Sequence, residues 1–261
     1  MKFFRYIPVF AIAIICIPAA ATADDMVLVP VEELSTVADW SFEVPAPFFI
    51  DRSEVTNAEF AAFLADVAPN TEEKWHTWIN GEDPNFKIDI TGESFDIAAG
   101  FETHPVVTVT LEGAVRYAEW AGKRLPTNAQ WEAAALLGGA IPAVMEGESS
   151  PENEASKKID ESPTDPAQLG PGPVGSLPPD DLGLFGMLGN VWEWTADEYE
   201  TEYLSFMPTL GISPAAGPTL SVVRGGGFLI GLDELTEYPA AAVSPKARFG
   251  NIGFRCVREA D

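Results

Sequence analysis

Apolar positions recur along the chain in two rhythms, and the change between them marks the elements. Met26-Val27-Leu28-Val29 and Phe48-Phe49-Ile50 are short apolar runs bounded by proline or polar residues, as brief strands are. Phe60, Phe63 and Leu64 follow at helical spacing behind Thr56-Asn57-Ala58-Glu59, a capping-box sequence, and predict a short helix ending before Pro69. Residues 70–102 scatter Trp75, Trp78, Phe86, Phe95 and Phe101 without a period and read as an irregular, loop-rich layer. His104-Pro105-Val106-Val107-Thr108-Val109 predicts a strand. Thr110 then caps a second helix with Leu111, Ala114, Val115 and Ala118 on one stripe, stopping at Gly122. Thr127 to Gln130 forms another capping box, and its helix runs through Trp131 and Ala135 to Gly138-Gly139.

Residues 141–180 change character, with eight prolines and many acids, and predict a long exposed loop instead of a helix or central strand. The pattern returns in Gly183-Leu184-Phe185-Gly186-Met187-Leu188-Gly189-Asn190-Val191-Trp192-Glu193-Trp194-Thr195. Trp192 and Trp194 have period-two spacing and share one face of an extended segment, while Glu193 points the other way. Residues 222–224 and 252–257 read as short strands, separated by a loop holding Asp233, Glu234 and Glu237. Short strands, two or three amphipathic helices and much ordered loop make an α+β domain.

Composition changes the picture in three places. Lys2 and Arg5, an apolar run over residues 10–17 and Ala21-Thr22-Ala23 before Asp24 have the form of a secretory signal peptide, residues 1–23, too short to span a membrane. The remainder, residues 24–261, is expected to be one exported, periplasmic or secreted domain without membrane insertion after cleavage. Losing Lys2 and Arg5 takes the formal charge from −25 two units lower, to −27, a surface that repels nucleic acid and anionic membrane. Cys16 leaves with the signal, so Cys256 has no intramolecular partner. Its place in Gly-Phe-Arg-Cys-Val predicts burial.

Gly189-Asn190-Val191-Trp192-Glu193-Trp194 resembles the signature of the formylglycine-generating-enzyme, or sulfatase-modifying-factor, superfamily, whose relatives include ergothioneine-type sulfoxide synthases and a pyoverdine-maturation protein. Further segments agree in the family's order. They are Phe48 to Asn57 with Asp51, Glu54 and Thr56, then His104-Pro105-Val106-Val107, and Gly122-Lys123-Arg124-Leu125-Pro126-Thr127 with Gln130-Trp131-Glu132. Val223-Arg224-Gly225-Gly226-Gly227-Phe228 and Asn251-Ile252-Gly253-Phe254-Arg255-Cys256 complete the set. The resemblance runs from about Met26 to Arg258 and implies the complex variant of the C-type-lectin fold.

It also implies a chemistry that the residues depart from. The family's two copper-binding cysteines fall on Ile230 and Leu235, and its motif serine on Gly227, so copper oxidase activity is not expected. His76 and His104 are the only histidines, too few for a three-histidine iron site. Ser53, Ser205 and Ser244 lack a nucleophile-elbow context, and acid pairs such as Asp233-Glu234 are common in so acidic a chain. The family's calcium ligands fall on Glu193, Gly189, Val191 and Gly186. Gly186 has no side chain to offer, so calcium is expected to bind weakly or not at all. The expected function is a binding or assembly module for a peptide, protein or small apolar ligand, with a groove lined by Trp192, Arg224, Phe228, Ile230 and Leu235. The alternative is a divergent enzyme of the pyoverdine-maturation or non-heme-iron kind, acting on a peptide-derived substrate.

Overall fold

The computed structural model describes residues 25–36, 44, 46–70, 75–92, 94–140, 170–199, 219–228 and 240–260. The expected signal peptide, most of the acidic 141–180 loop, and Ile230 and Leu235 lie outside them. Among the described residues no helix is long and apolar enough to cross a membrane.

β1 (Met26–Val29) and β2 (Phe48–Asp51) form where two apolar runs pair antiparallel, Val29 opposite Phe48. α1 (Asn57–Val67) starts at a complete capping box. The Glu59 N–H donates to Thr56 Oγ1 at 3.3 Å, and the Thr56 N–H donates to Glu59 Oε2 at 2.8 Å, satisfying two donors that a helix start leaves open. β3 (Ile88–Thr91) and β4 (Ser94–Ile97) form a two-stranded ribbon within the stretch expected to be irregular. α2 (Leu111–Trp120) begins at Thr110, and Gly122 follows its end at φ 68, the left-handed position that glycine occupies without strain. α3 (Asn128–Leu137) carries a second capping box, between Thr127 and Gln130. β5 (Trp192–Glu198), β6 (Ser221–Arg224), β7 (Ala240–Val243), β8 (Ile252–Gly253) and β9 (Val257–Glu259) complete the chain.

Two expectations are corrected. Residues 104–109 are not a strand. Their strand-type pairing is limited to single bridges, Thr56 to Pro105 and Ile79 to Val109, and Thr108 at φ 63 turns the chain out of the extended region between them. Residues 252–257 are not one strand either. β8 pairs parallel with β5, β9 pairs antiparallel with β2, and the chain between them crosses from one sheet to the other. Phe254 O and Cys256 O accept from the N–H groups of Val55 and Asp51, so the crossing stays hydrogen-bonded.

The two sheets, β1-β2-β9 and β7-β6-β5-β8, stand on either side of that crossing. One core cluster packs α1 and α2 against the second sheet: Phe60, Phe63, Tyr117, Trp192, Trp194 and Phe254 are all buried. The other joins α3 to the first sheet through Phe48, Ile50, Trp131, Leu184, Met187 and Val257. The period-two reading of Trp192 and Trp194 is met: both enter the first cluster, and Glu193 faces Trp131 of the second.

Cys256 is fully buried, and burial together with Asp51 raises its thiol well above the ordinary cysteine range. A thiol reagent should therefore label the native protein far more slowly than the denaturant-unfolded chain. Equal labelling rates would show that the crossing segment opens readily.

Candidate functional site

The site is built where the glycine-punctuated turn before β5 meets the crossing segment. Gly183, Gly186 and Gly189 have φ of 84, 66 and 86, and Asn190 follows at φ 52. Asn190 tolerates that conformation because both ends of its amide are bonded. Its Nδ2 donates to Glu54 Oε1 at 2.9 Å, and its Oδ1 accepts from Gly172 N at 2.9 Å. The turn thereby presents β5 with Glu193 aimed inward.

Glu193 and Arg255 are both 0% exposed. Arg255 Nε and Nη2 each lie 2.7 Å from a Glu193 oxygen, and the Trp131 indole N–H donates to Glu193 Oε2 at 2.7 Å. The rest of the guanidinium donates to carbonyls: Phe185 O at 2.7 Å, Asp51 O at 3.3 Å and Arg52 O at 3.4 Å. Two charges removed from water are tolerable only when their remaining hydrogen-bonding capacity is satisfied, and here it is. Burial alone would push the Arg255 guanidinium down, but Glu193, Glu54 and Asp51 more than offset it and leave it raised and charged.

Glu54, only 1% exposed, adds a second carboxylate beside this pair. Its Oε2 has no partner, and burial, then the charge of Glu193, raises its pKa to about 7 against the opposing pull of Arg255. A second ion pair, Arg224 with Glu132, lies beside Trp131, with the Arg224 guanidinium 5.5 Å from that ring. Burial raises the Glu132 carboxyl, and Arg224 opposes the rise.

Against this geometry the expected site residues separate. Arg224 is only 2% exposed and spent on Glu132, so it supports the turn from within and does not line a groove. Trp192 is buried, and a Cβ at Gly227 would meet its Cδ1 edge at 3.1 Å, so the buried glycine lets the backbone pack directly against the indole. Phe228 is half-buried, and its N–H donates to Asn190 O at 2.9 Å. Asn251, quoted above only as part of a motif, joins them. Its Nδ2 lies 3.6 Å from the same Gly227 Cβ position, and its O accepts the Trp192 N–H at 2.8 Å. Among the described residues no hydrogen bond engages the Trp192 indole N–H or the Asn251 side-chain amide. His76 is exposed; His104 is half-buried against Phe101, 4.7 Å between ring centroids, and burial, then Lys87, lowers its pKa.

The calcium ligand set does not fit these residues. Both Glu193 oxygens already accept from Arg255 and Trp131, and a guanidinium occupies the space a divalent ion would need. Gly186 supplies no side chain, and Glu54 Oε1 lies 2.5 Å from where its Cβ would stand. Among the described residues no three His, Cys, Asp or Glu side chains are placed to hold a metal.

Comparison with known proteins places this geometry. The sulfatase-modifying factor enzyme 1-like domain family matches residues 17–260. The chain belongs to that family. It is 34% identical to the formylglycine-generating enzyme of Streptomyces coelicolor, over 82% of this chain and 79% of that one. It is 35% identical to the serine/threonine-protein kinase Pkn1 of Chlamydia trachomatis over 81% of this chain, which spans only 33% of the kinase's length. Its fold superposes on PvdO from Pseudomonas aeruginosa with a TM-score of 0.54 and 26% identity, over 82% of this chain and 81% of that one. The α+β fold of this sulfatase-modifying-factor domain is therefore that of the formylglycine-generating-enzyme type.

Removing Arg255 strands Glu193 and Glu54 inside the domain. Arg255→Ala should cost about 3–5 kcal/mol in denaturant unfolding, and a loss under about 1 kcal/mol would mean that water enters and solvates the pair. Glu54 holds its proton more tightly folded than unfolded. Its contribution to stability is thus fully present below pH 4.5, the unfolded value, and is lost as pH rises through about 7. Melting temperatures across that window should fall more steeply for the native sequence than for Glu54→Gln, and parallel profiles would show that Glu54 ionises without penalty.

Proposed function

We propose that this protein is an exported binding or assembly module that keeps the scaffold of the formylglycine-generating enzymes without their copper chemistry. The observation that supports the reading is that the family's scaffold extends over residues 17–260, while the sequence supplies Ile230 and Leu235 where a copper site would need thiols. Phe228, half-buried beside the Asn190 turn, and Asn251, next to it through Gly227, are the described residues nearest that stretch. The ligand class is a peptide or protein segment, or a small apolar molecule.

A second reading, a divergent enzyme acting on a peptide-derived substrate, is favoured by the 34% identity to an enzyme over most of both chains. The two readings separate cleanly. For the binding module, elemental analysis of the purified protein should find neither copper nor iron at stoichiometric level, and a cysteine-containing peptide should acquire no aldehyde. Bound redox metal or aldehyde formation would sink it. Peptides selected from an array should lose at least about tenfold in affinity on Phe228→Ser or Asn251→Ala, two changes outside the buried charge cluster, with melting temperatures held within a few degrees. Undiminished binding by both variants would move the ligand elsewhere on the surface.

A further inference from the structure

The loop joining β7 to β8 holds an aromatic ring and two cations out in solvent. Phe249 is 55% exposed, and among the described residues only Leu28 is another large apolar side chain left in water. Lys246 and Arg248 beside it are exposed as well. The backbone that carries them is fixed. The Phe249 carbonyl accepts the N–H groups of Thr108 at 3.1 Å and Ile252 at 3.2 Å, and Pro245 O accepts the Leu111 N–H at 3.1 Å. Arg248 Nη1 donates to Ile79 O at 2.9 Å, and the Asn85 amide fills the space where a Cβ of Gly250 would stand. Neither cation has a carboxylate partner among the described residues, although acids outnumber bases 40 to 15 along the chain and the exposed Glu82 and Glu112 stand on the segments that touch this loop. Asn251 leads on to Gly227, its Nδ2 lying 3.6 Å from the Cβ position there, so the surface adjoins the stretch that begins at Phe228.

We propose that this loop is a docking surface for an acidic segment of a partner protein, one that sets an apolar side chain against Phe249 and its carboxylates against Lys246 and Arg248. Charge complementarity selects that occupant. The Lys246 ammonium and the guanidinium N–H groups of Arg248 are donors that a carboxylate satisfies with charge assistance, and a neutral or basic segment would leave both facing nothing of opposite sign. The exposed ring adds an anchor of the kind that dominates protein contacts. The chain's net charge of −25 repels extended polyanions such as nucleic acid or an anionic membrane. For a short segment at physiological salt the field of distant charges fades within about 8 Å, so the pairs in direct contact decide. The proposal rests on the reading of the ligand as a peptide, which both functional readings share, and adds the chemistry of that peptide.

The test is isothermal titration of the purified protein, at physiological salt, with two acetylated and amidated peptides built around a central phenylalanine, one with glutamate and one with glutamine at the flanking positions. The glutamate peptide should bind at least about tenfold more tightly. Lys246→Gln should narrow that preference, whereas Phe249→Ser should weaken both peptides about fivefold or more. Both side chains are exposed, so the variants should melt within a few degrees of the native protein. Equal affinity for the two peptides would overturn the proposal while leaving the peptide reading intact, and no binding of either would take down both. Affinity unchanged in both variants would place the peptide elsewhere and overturn it too. So would self-association, seen by sedimentation, that Phe249→Ser abolishes, because the occupant would then be a second copy of the chain.

Discussion

The ion pair of Glu193 with Arg255 is the constraint from which the rest of the molecule follows. Neither charge touches solvent, so the fold has to supply every partner that water would have supplied. Arg255 collects carbonyls from the end of β2, from the loop after it and from the glycine turn before β5, while Trp131 brings α3 to the same carboxylate. The end of β2, the glycine turn, β5 and the crossing segment are held together by this guanidinium, and α3 joins them through the carboxylate. A helix, two sheets and a turn cannot shift independently without unpairing a buried charge.

Glycines at the seam are consequences of that requirement. A Cβ at Gly225 would meet Met187 O at 3.0 Å and the Trp131 ring at 3.2 Å, and one at Gly253 would meet Val106 O at 2.7 Å. Backbones approach this closely only where no side chain stands between them. Arg224 and Glu132 form a second ion pair at the same indole: the Arg224 guanidinium lies 5.5 Å from the Trp131 ring while the ring's N–H edge meets Glu193.

Much of this was legible in the chain. The capping boxes at Thr56 and Thr127 and the terminating Gly122 act through neighbours within a few residues, so local spacing suffices to place α1, α2 and α3. The alternation of Trp192, Glu193 and Trp194 likewise sorts them onto two faces. Less visible was what depends on distant partners. Glu193 reads locally as a cation ligand, because nothing near it announces that Arg255, 62 positions away, takes both its oxygens. The available signal was an arginine inside the apolar run Gly-Phe-Arg-Cys-Val, since a charge there must find a buried counterpart. Arg224 reads as a groove residue for the same reason, its partner Glu132 lying on α3, 92 positions back. Residues 252–257 read as one strand because composition does not distinguish a strand from a crossing between sheets.

The order of strands in the first sheet carries a consequence of its own. β2, at residues 48–51, has β1 on one side and β9, at residues 257–259, on the other, so the centre of that sheet is completed by chain made some 200 residues later. Arg255 arrives with the same late segment, so the interior carboxylates wait uncompensated until then. Closing so long a loop carries an entropic cost before any contact rewards it, which makes slow, late-closing folding the expectation. On the ribosome, the nascent domain would stay open until the segment bearing β9 emerges, and its unpaired interior carboxylates and strand edges would be open to chaperones for that long.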